Sequence, residues 1–239
     1  MKSPSDYIVF PLDVPSYDEA ISFVETLHGH VGLFKVGLEL FVSEGPAVLK
    51  GIRDRTDSGI FLDLKLHDIP ATVQRAFLSA SAHRPRFVTV HCDEGNGILK
   101  GVAEENPGNT QILAITVLTS LNQEKLKKSG YDPAYAEDVS RLVLLRARMA
   151  REAGCHGVVC SGLEAARVRE EIGPDMTIVT PGIRPAWSVV NQDDQKRIVT
   201  PADAIRDGSD YVVIGRPIRD APSPRDAARK VAEEIASAF

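Results

Sequence analysis

The hydrophobic positions of this chain follow two alternating patterns. Short, near-continuous apolar runs are separated by longer stretches with an apolar residue every three or four places. The runs read as buried strands and the stripes as amphipathic helices. Tyr7 to Val14 is the first run; Ser16 and Glu19 then form a capping-box signature ahead of a stripe at Ala20, Ile21, Val24 and Leu27. A second strand is predicted from Leu33 to Leu40, with Lys35 inside it. Ser43, Glu44 and Pro46 are expected to open a helix carrying Val48, Leu49 and Ile52. The third strand runs through Ile60, Phe61, Leu62 and Leu64, and Pro70 opens a helix reaching about Ala82. Further strands are predicted at Arg86 to Cys92, Gln111 to Leu118, Gly157 to Cys160, Met176 to Thr180 and Tyr211 to Ile214. Between them lie helical stretches at Gly97 to Glu105 and at the stripe Val139, Leu142, Val143, Ala147 and Ala150. Ser161 with Glu164 caps another, Thr200, Pro201 and Asp203 start one that Gly208 stops, and the last runs from Pro224 to Ala236.

Eight strand–helix units with no shift in composition imply a parallel sheet covered by helices. They close most naturally into a (β/α)₈ TIM barrel, an α/β fold occupying residues 1–239 as a single domain. An open doubly wound sheet is the alternative, but no glycine-rich G-x-G-x-x-G turn follows the first strand. From Ile183 to Ile198 the chain has no pattern of its own, and loops of that length are often lids or binding loops. It holds Asn191, Gln192, Asp193, Asp194 and Gln195, all able to hydrogen-bond a ligand or water. A length of 239 residues, 43% of them hydrophobic, suffices for one large core. The net charge of −5 leaves no electrostatic footprint for nucleic acid. Cys92, Cys155 and Cys160 match neither a disulfide framework nor a zinc pattern and are expected to be reduced. With no signal peptide and no membrane span, a soluble, cytoplasmic protein is expected.

Charges that interrupt the apolar runs change this picture. Asp63 and Lys65 alternate with Leu62, Leu64 and Leu66, so both project from one face of the third strand. Burying such a pair is costly unless it is paired and hydrogen-bonded. Barrel active sites lie at the C-terminal ends of the strands. Those ends carry Asp13, Lys35, Asp63, Lys65, Asp68, Thr119, Arg184 and Arg216. Each has an ordinary reading by itself: Asp68 as a helix cap ahead of Pro70, Asp63 with Lys65 as a structural ion pair. Their convergence from six strand ends points to a site. Lys35, Asp63, Lys65 and Asp68 can hold one another at near-zero net charge, while Arg184 and Arg216 add positive charge toward the last strands. Gly215 is either a turn glycine or a bare N–H that a phosphate can approach, and a phosphorylated small molecule is the expected ligand. A carboxylate beside a lysine suits making and quenching a carbanion. Asp63 would press on a departing carboxylate, and Lys65 would stabilise and protonate the carbon left behind. Lys65 as a Schiff-base former stays open, although neighbouring carboxylates should keep it protonated. His67 and His91 read as structural hydrogen-bonding residues, and no metal cluster is evident.

The block Asp63-Leu64-Lys65-Leu66-His67-Asp68-Ile69-Pro70 resembles the signature of the orotidine 5′-phosphate decarboxylases. The likeness extends to Leu12-Asp13-Val14, Lys35-Val36-Gly37, Leu118-Thr119-Ser120, Thr180-Pro181-Gly182-Ile183-Arg184, Asp194-Gln195-Lys196-Arg197 and Gly215-Arg216-Pro217. Pro11 departs from it, standing where many members carry alanine. The resemblance implies conversion of orotidine 5′-monophosphate to UMP and carbon dioxide without metal or cofactor. It also implies a homodimer with shared sites, to which Asp68, Ile69 and Thr72 contribute from the partner chain. By the same resemblance Lys65 donates the proton to C6 beside Asp63, and Asp13 and Lys35 bind the ribose hydroxyls and order the charged network. Thr119 contacts the pyrimidine; Gln195, Gly215 and Arg216 grip the phosphate, with Arg184 near the same lid. Two rivals remain: a magnesium-dependent keto-sugar-phosphate decarboxylase or synthase of the same barrel group, and a barrel that binds a phosphate ligand without chemistry.

Overall fold

A computed structural model of the protein describes residues 2–93, 95–188 and 199–239. Its strands are β1 (Ile8–Pro11), β2 (Leu33–Val36), β3 (Gly59–Leu66), β4 (Phe87–His91), β5 (Gln111–Ile115), β6 (Gly157–Val159), β7 (Thr177–Thr180) and β8 (Tyr211–Val213). All are parallel and pair in chain order, β8 closing onto β1, which makes the predicted eight-stranded barrel. Around it run α1 (Tyr17–Leu27), α2 (Leu38–Glu44), α3 (Ala47–Arg53), α4 (Pro70–Ser81), α5 (Asn96–Glu105) and α6 (Gln123–Lys128). Then follow α7 (Pro133–Ala136), α8 (Val139–Glu152), α9 (Ala165–Ile172), α10 (Pro201–Arg206), α11 (Arg216–Arg219) and α12 (Pro224–Ala236). Among the described residues no helix is long and apolar enough to cross a membrane.

Strand alternation divides the core in two. One face of each strand packs on the helices, as Ile8, Phe10, Phe34, Leu62 and Val88 do. The other face fills the barrel's interior with Val9, Leu33, Phe61, Phe87, Leu113, Val179 and Tyr211. The rings of Phe61 and Phe87 meet edge-on at 5.9 Å, and those of Phe87 and Tyr211 at 5.5 Å. Two residues further along a strand lies the same face. The step from Val9, Leu33, Phe61, Phe87 and Tyr211 therefore reaches Pro11, Lys35, Asp63, Thr89 and Val213 at the C-terminal mouth. An apolar interior layer thus supports a polar one.

Several elements differ from the sequence expectation. The second strand stops at Val36, and Leu38 to Leu40 begin α2 instead. Its apolar run is too short for the helical and extended periods to be told apart. Ser43 and Glu44 close α2 rather than opening the next helix; Gly45, at φ 62°, turns the chain into Pro46 and α3. The first strand ends at Pro11, short of Val14. Proline has no N–H to continue the ladder, and pairing of β1 with β8 ends at Val9↔Val213. The helix α9 starts only at Ala165, with Glu164 at its N-cap position making no side-chain cap bond. Ser161 Oγ instead accepts the N–H of Leu163 inside a preceding turn. In the long patternless stretch, Ala186–Ser188 forms a 3₁₀ turn; residues 189–198 lie outside the described residues.

Candidate active site

Three strand ends build the charged centre. Asp63 Oδ2 receives Lys65 Nζ at 2.7 Å and faces Lys35 Nζ at 3.7 Å, and Lys35 Nζ reaches Asp13 Oδ1 at 3.0 Å. The chain Asp13–Lys35–Asp63–Lys65 alternates in sign and sums to zero. Asp63 and Lys35 are close to buried, with side chains 10% and 11% exposed, whereas Lys65 is 32% and Asp13 54% exposed. A carboxylate so enclosed needs all its partners. Asp63 finds the remaining one in Thr89, whose Oγ1 donates to Oδ1 at 3.0 Å.

Simple alternation does not account for how Asp63 and Lys65 meet. The pairing of β3 with β4 shifts between Leu62 and Leu66, and Lys65 adopts φ 49°. This is the left-handed region, rare for a residue with a side chain. The backbone N–H that this bulge turns out of the ladder donates to Thr89 Oγ1 at 2.8 Å.

Asp68 stands apart from the network expected of it. It is exposed, and its carboxylate accepts the N–H of the next residue, Ile69, at 2.7 Å. Ile69, not Asp68, occupies the N-cap position of α4. Ile69 is itself 68% exposed, and Thr72, in the first turn, is half-buried.

A cavity of about 230 Å³ opens beside the charged centre, walled by Pro11, Asp13, Lys35, Arg184, Gly215 and Arg216. Arg184 is buried and donates from Nη1 to the Ile183 carbonyl at 3.2 Å; Arg216 is exposed. Gly215 has φ −99°, so no left-handed turn requires it. A Cβ there would come within 2.9 Å of Pro11 Cγ, and close approach to that ring is what demands glycine. A larger cavity of about 730 Å³ adjoins at Pro181 and Gly182 and is lined by the exposed Thr119. Gln195 lies outside the described residues, as do Asp194, Lys196 and Arg197.

Sequence reasoning missed Thr89 and Arg219. The signal for Thr89 was present: a lone hydroxyl in the run Phe87-Val88-Thr89-Val90, now fully buried. Arg219 also lines the smaller cavity and donates to the Asp13 carbonyl at 3.3 Å while holding Asp220 at 2.7 Å. Its local sequence, a basic residue in a short helix, carried no such signal. His91 lies 3.2 Å from Asp93, which also pairs with the buried Arg146; the His67 and His91 rings stand 5.1 Å apart. The His91 imidazole beside it, together with Arg146, holds the Asp93 carboxyl below its usual range. Among the described residues no group of three or more His, Cys, Asp or Glu side chains could hold a metal ion. All three cysteines are free and buried; burial pushes Cys155 up to about 12 and raises Cys92 and Cys160 as well.

The arrangement offers a carboxylate fixed between two ammoniums at the mouth of an apolar barrel, with arginines to one side. Such a centre can bind an anionic ligand by its remote end while acting on its near end by fixed charge. A sequence model of the orotidine 5′-phosphate decarboxylase / HUMPS family matches residues 6–231. The orotidine 5′-phosphate decarboxylase of Desulfosudis oleivorans is 47% identical over all of this chain and 96% of its own length. That of Methylococcus capsulatus is 45% identical over 98% of this chain and 94% of its own. The crystal structure of orotidine 5′-phosphate decarboxylase from Lactobacillus acidophilus superposes with a TM-score of 0.80 at 32% identity, covering 95% of this chain and 98% of that one.

Proposed function

This chain belongs to the orotidine 5′-phosphate decarboxylase / HUMPS family, and from that premise we propose that it is a carboxy-lyase converting orotidine 5′-monophosphate to UMP and carbon dioxide in pyrimidine biosynthesis. One observation carries the reading at the level of residues: the enclosed Asp63 carboxylate set between Lys35 and Lys65. A second carboxylate, that of the substrate, brought against Asp63 is repelled by it. Departure of that group as carbon dioxide relieves the repulsion. The C6–carboxylate bond breaks, its electron pair stays on C6, and Lys65 Nζ stabilises the pair before giving it a proton. Solvent then reprotonates Lys65. The pyrimidine has no electron sink at C6, so fixed charge must do this work.

Asp13 and Lys35 take the ribose hydroxyls, and Thr119 the pyrimidine. The phosphate goes to Gly215 and Arg216, with Arg184 beside them and Gln195 from the stretch between Ile183 and Ile198. The shared walls of the smaller cavity support this division, because Asp13 and Lys35 meet Arg184, Gly215 and Arg216 there. Binding energy from the phosphate, remote from C6, serves to order the reacting end. The chain acts as a homodimer in which Asp68, Ile69 and Thr72 complete the partner's site. Exposure supports this: the Asp68 carboxylate is exposed and accepts the Ile69 N–H, and Ile69 is 68% exposed. Leu38 and Val42 of α2, beyond the adjacent strand end, are 54% and 79% exposed.

The family also holds enzymes acting on keto-sugar phosphates. Identity of 45–47% along almost the whole length to proteins named as the decarboxylase favours the orotidine reading. Assaying orotidine 5′-monophosphate beside a keto-hexulose phosphate, with and without magnesium, decides between them. Turnover of the nucleotide alone is expected; magnesium-dependent turnover of the sugar phosphate alone would replace this reading.

A further inference from the structure

The bulge in β3 creates a problem that one side chain solves. Phe61 and Leu62 pair with Phe87 and Val88, and Leu66 with Val90, so Asp63, Leu64 and Lys65 all stand opposite Thr89. That excess lets Asp63 and Lys65 both enter the barrel mouth. It also leaves the Lys65 N–H outside the ladder, in a backbone at φ 49°, and a buried N–H without an acceptor is costly. Thr89 is fully buried, and its hydroxyl has one proton and free lone pairs. A lone pair takes the Lys65 N–H at 2.8 Å; the proton goes to Asp63 Oδ1 at 3.0 Å. With Oδ1 so occupied, Oδ2 is the oxygen turned to Lys65 Nζ at 2.7 Å and Lys35 Nζ at 3.7 Å.

We infer that Thr89 is a positioning residue: its hydroxyl holds the left-handed backbone of Lys65 and the rotation of the Asp63 carboxylate in one register. It is fully buried, and its hydroxyl is spent on these two partners. A hydroxyl that only filled space could be exchanged for a methyl group, as in valine, without consequence. One that aligns the pair cannot, because valine leaves the Lys65 N–H and Asp63 Oδ1 both unpartnered. Any misalignment falls on the chemical step rather than on phosphate binding, which is made by other strands.

This inference takes its activity readout from the decarboxylase reading. In steady-state kinetics with orotidine 5′-monophosphate, Thr89→Val is expected to lose kcat by roughly 10- to 100-fold with KM nearly unchanged. Thr89→Ser, which keeps the hydroxyl, should retain most of it. Wild-type kcat in Thr89→Val, or an equal loss in Thr89→Ser, would overturn the role; the second result would assign the effect to packing. Where the valine variant fails to fold, Thr89→Ala takes its place in the same comparison. An independent readout is hydrogen exchange of the Lys65 amide, followed by NMR. It should be protected in the wild type and in Thr89→Ser and exchange faster in Thr89→Val or Thr89→Ala. Equal protection in all would overturn the inference. An inactive but folded wild-type chain would count against the substrate, leaving the exchange test of Thr89 standing.

Discussion

Arg216 and Asp63 show how differently two charged residues can be placed in one site. Asp63 is enclosed and bonded on both oxygens, so replacing it disturbs every neighbour. Arg216 is exposed on the wall of the smaller cavity, within reach of a ligand there. Arg216→Ala is therefore expected to raise KM for orotidine 5′-monophosphate by roughly 10- to 100-fold, the worth of a charge-assisted contact. Turnover of phosphate-free orotidine should hardly change. Equal losses on both substrates would remove the phosphate role. The pairing of Asp63 with Lys65 was legible in the sequence because two charges at alternate positions must share a strand face. The left-handed Lys65 was not, since nothing in a Leu-Lys-Leu stretch marks a bulge. Thr89 could have been found by extending the same alternation to the next strand.

At the scale of elements, the sequence carried the strands that fill the barrel better than the points where they end. Near-continuous apolar runs placed all eight, because one face of each strand must pack on helices and the other on the interior layer. Ends are decided by single residues: Pro11 by its missing N–H, Gly37 by opening a helix where the apolar run continued. The helix from Pro224 to Ala236 was legible at both bounds because Ser223 caps it and its stripe is unbroken. Between β4 and α8 the contact of Asp93 with His91 and the buried Arg146 ties strand end to helix. Asp93 has a folded pKa below its ordinary 3.8. Its contribution to stability is thus complete above that value and lost as the pH falls through the folded one. Asp93→Asn should be destabilised at neutral pH by roughly 1–3 kcal/mol, with a melting temperature that falls less steeply below about pH 4. Thermal denaturation across pH checks this; parallel curves for variant and wild type would contradict it.

For the whole molecule, the fold places the charged centre at one end of a barrel whose other layer is packed with aliphatic and aromatic side chains. That architecture makes a prediction about assembly. If Asp68 completes the partner's site, a mixture of Lys65→Ala and Asp68→Ala chains, each nearly inactive alone, regains activity when subunits exchange. Half of the dimers are then mixed, each with one intact site, giving about a quarter of wild-type activity by the symmetry of the assembly. No recovery, with subunit exchange demonstrated, would place Asp68 in its own chain's site or in none.

The claim at the centre is that a fixed charge network around Asp63 and Lys65 suffices for decarboxylation. Ultraviolet absorbance of orotidine 5′-monophosphate, mixed with purified protein in excess EDTA, tests it most directly. The account predicts rapid loss of the orotate band with the wild type and none with a folded Lys65→Ala variant. An unchanged band with folded, dimeric wild-type protein, or full activity in Lys65→Ala, would contradict it.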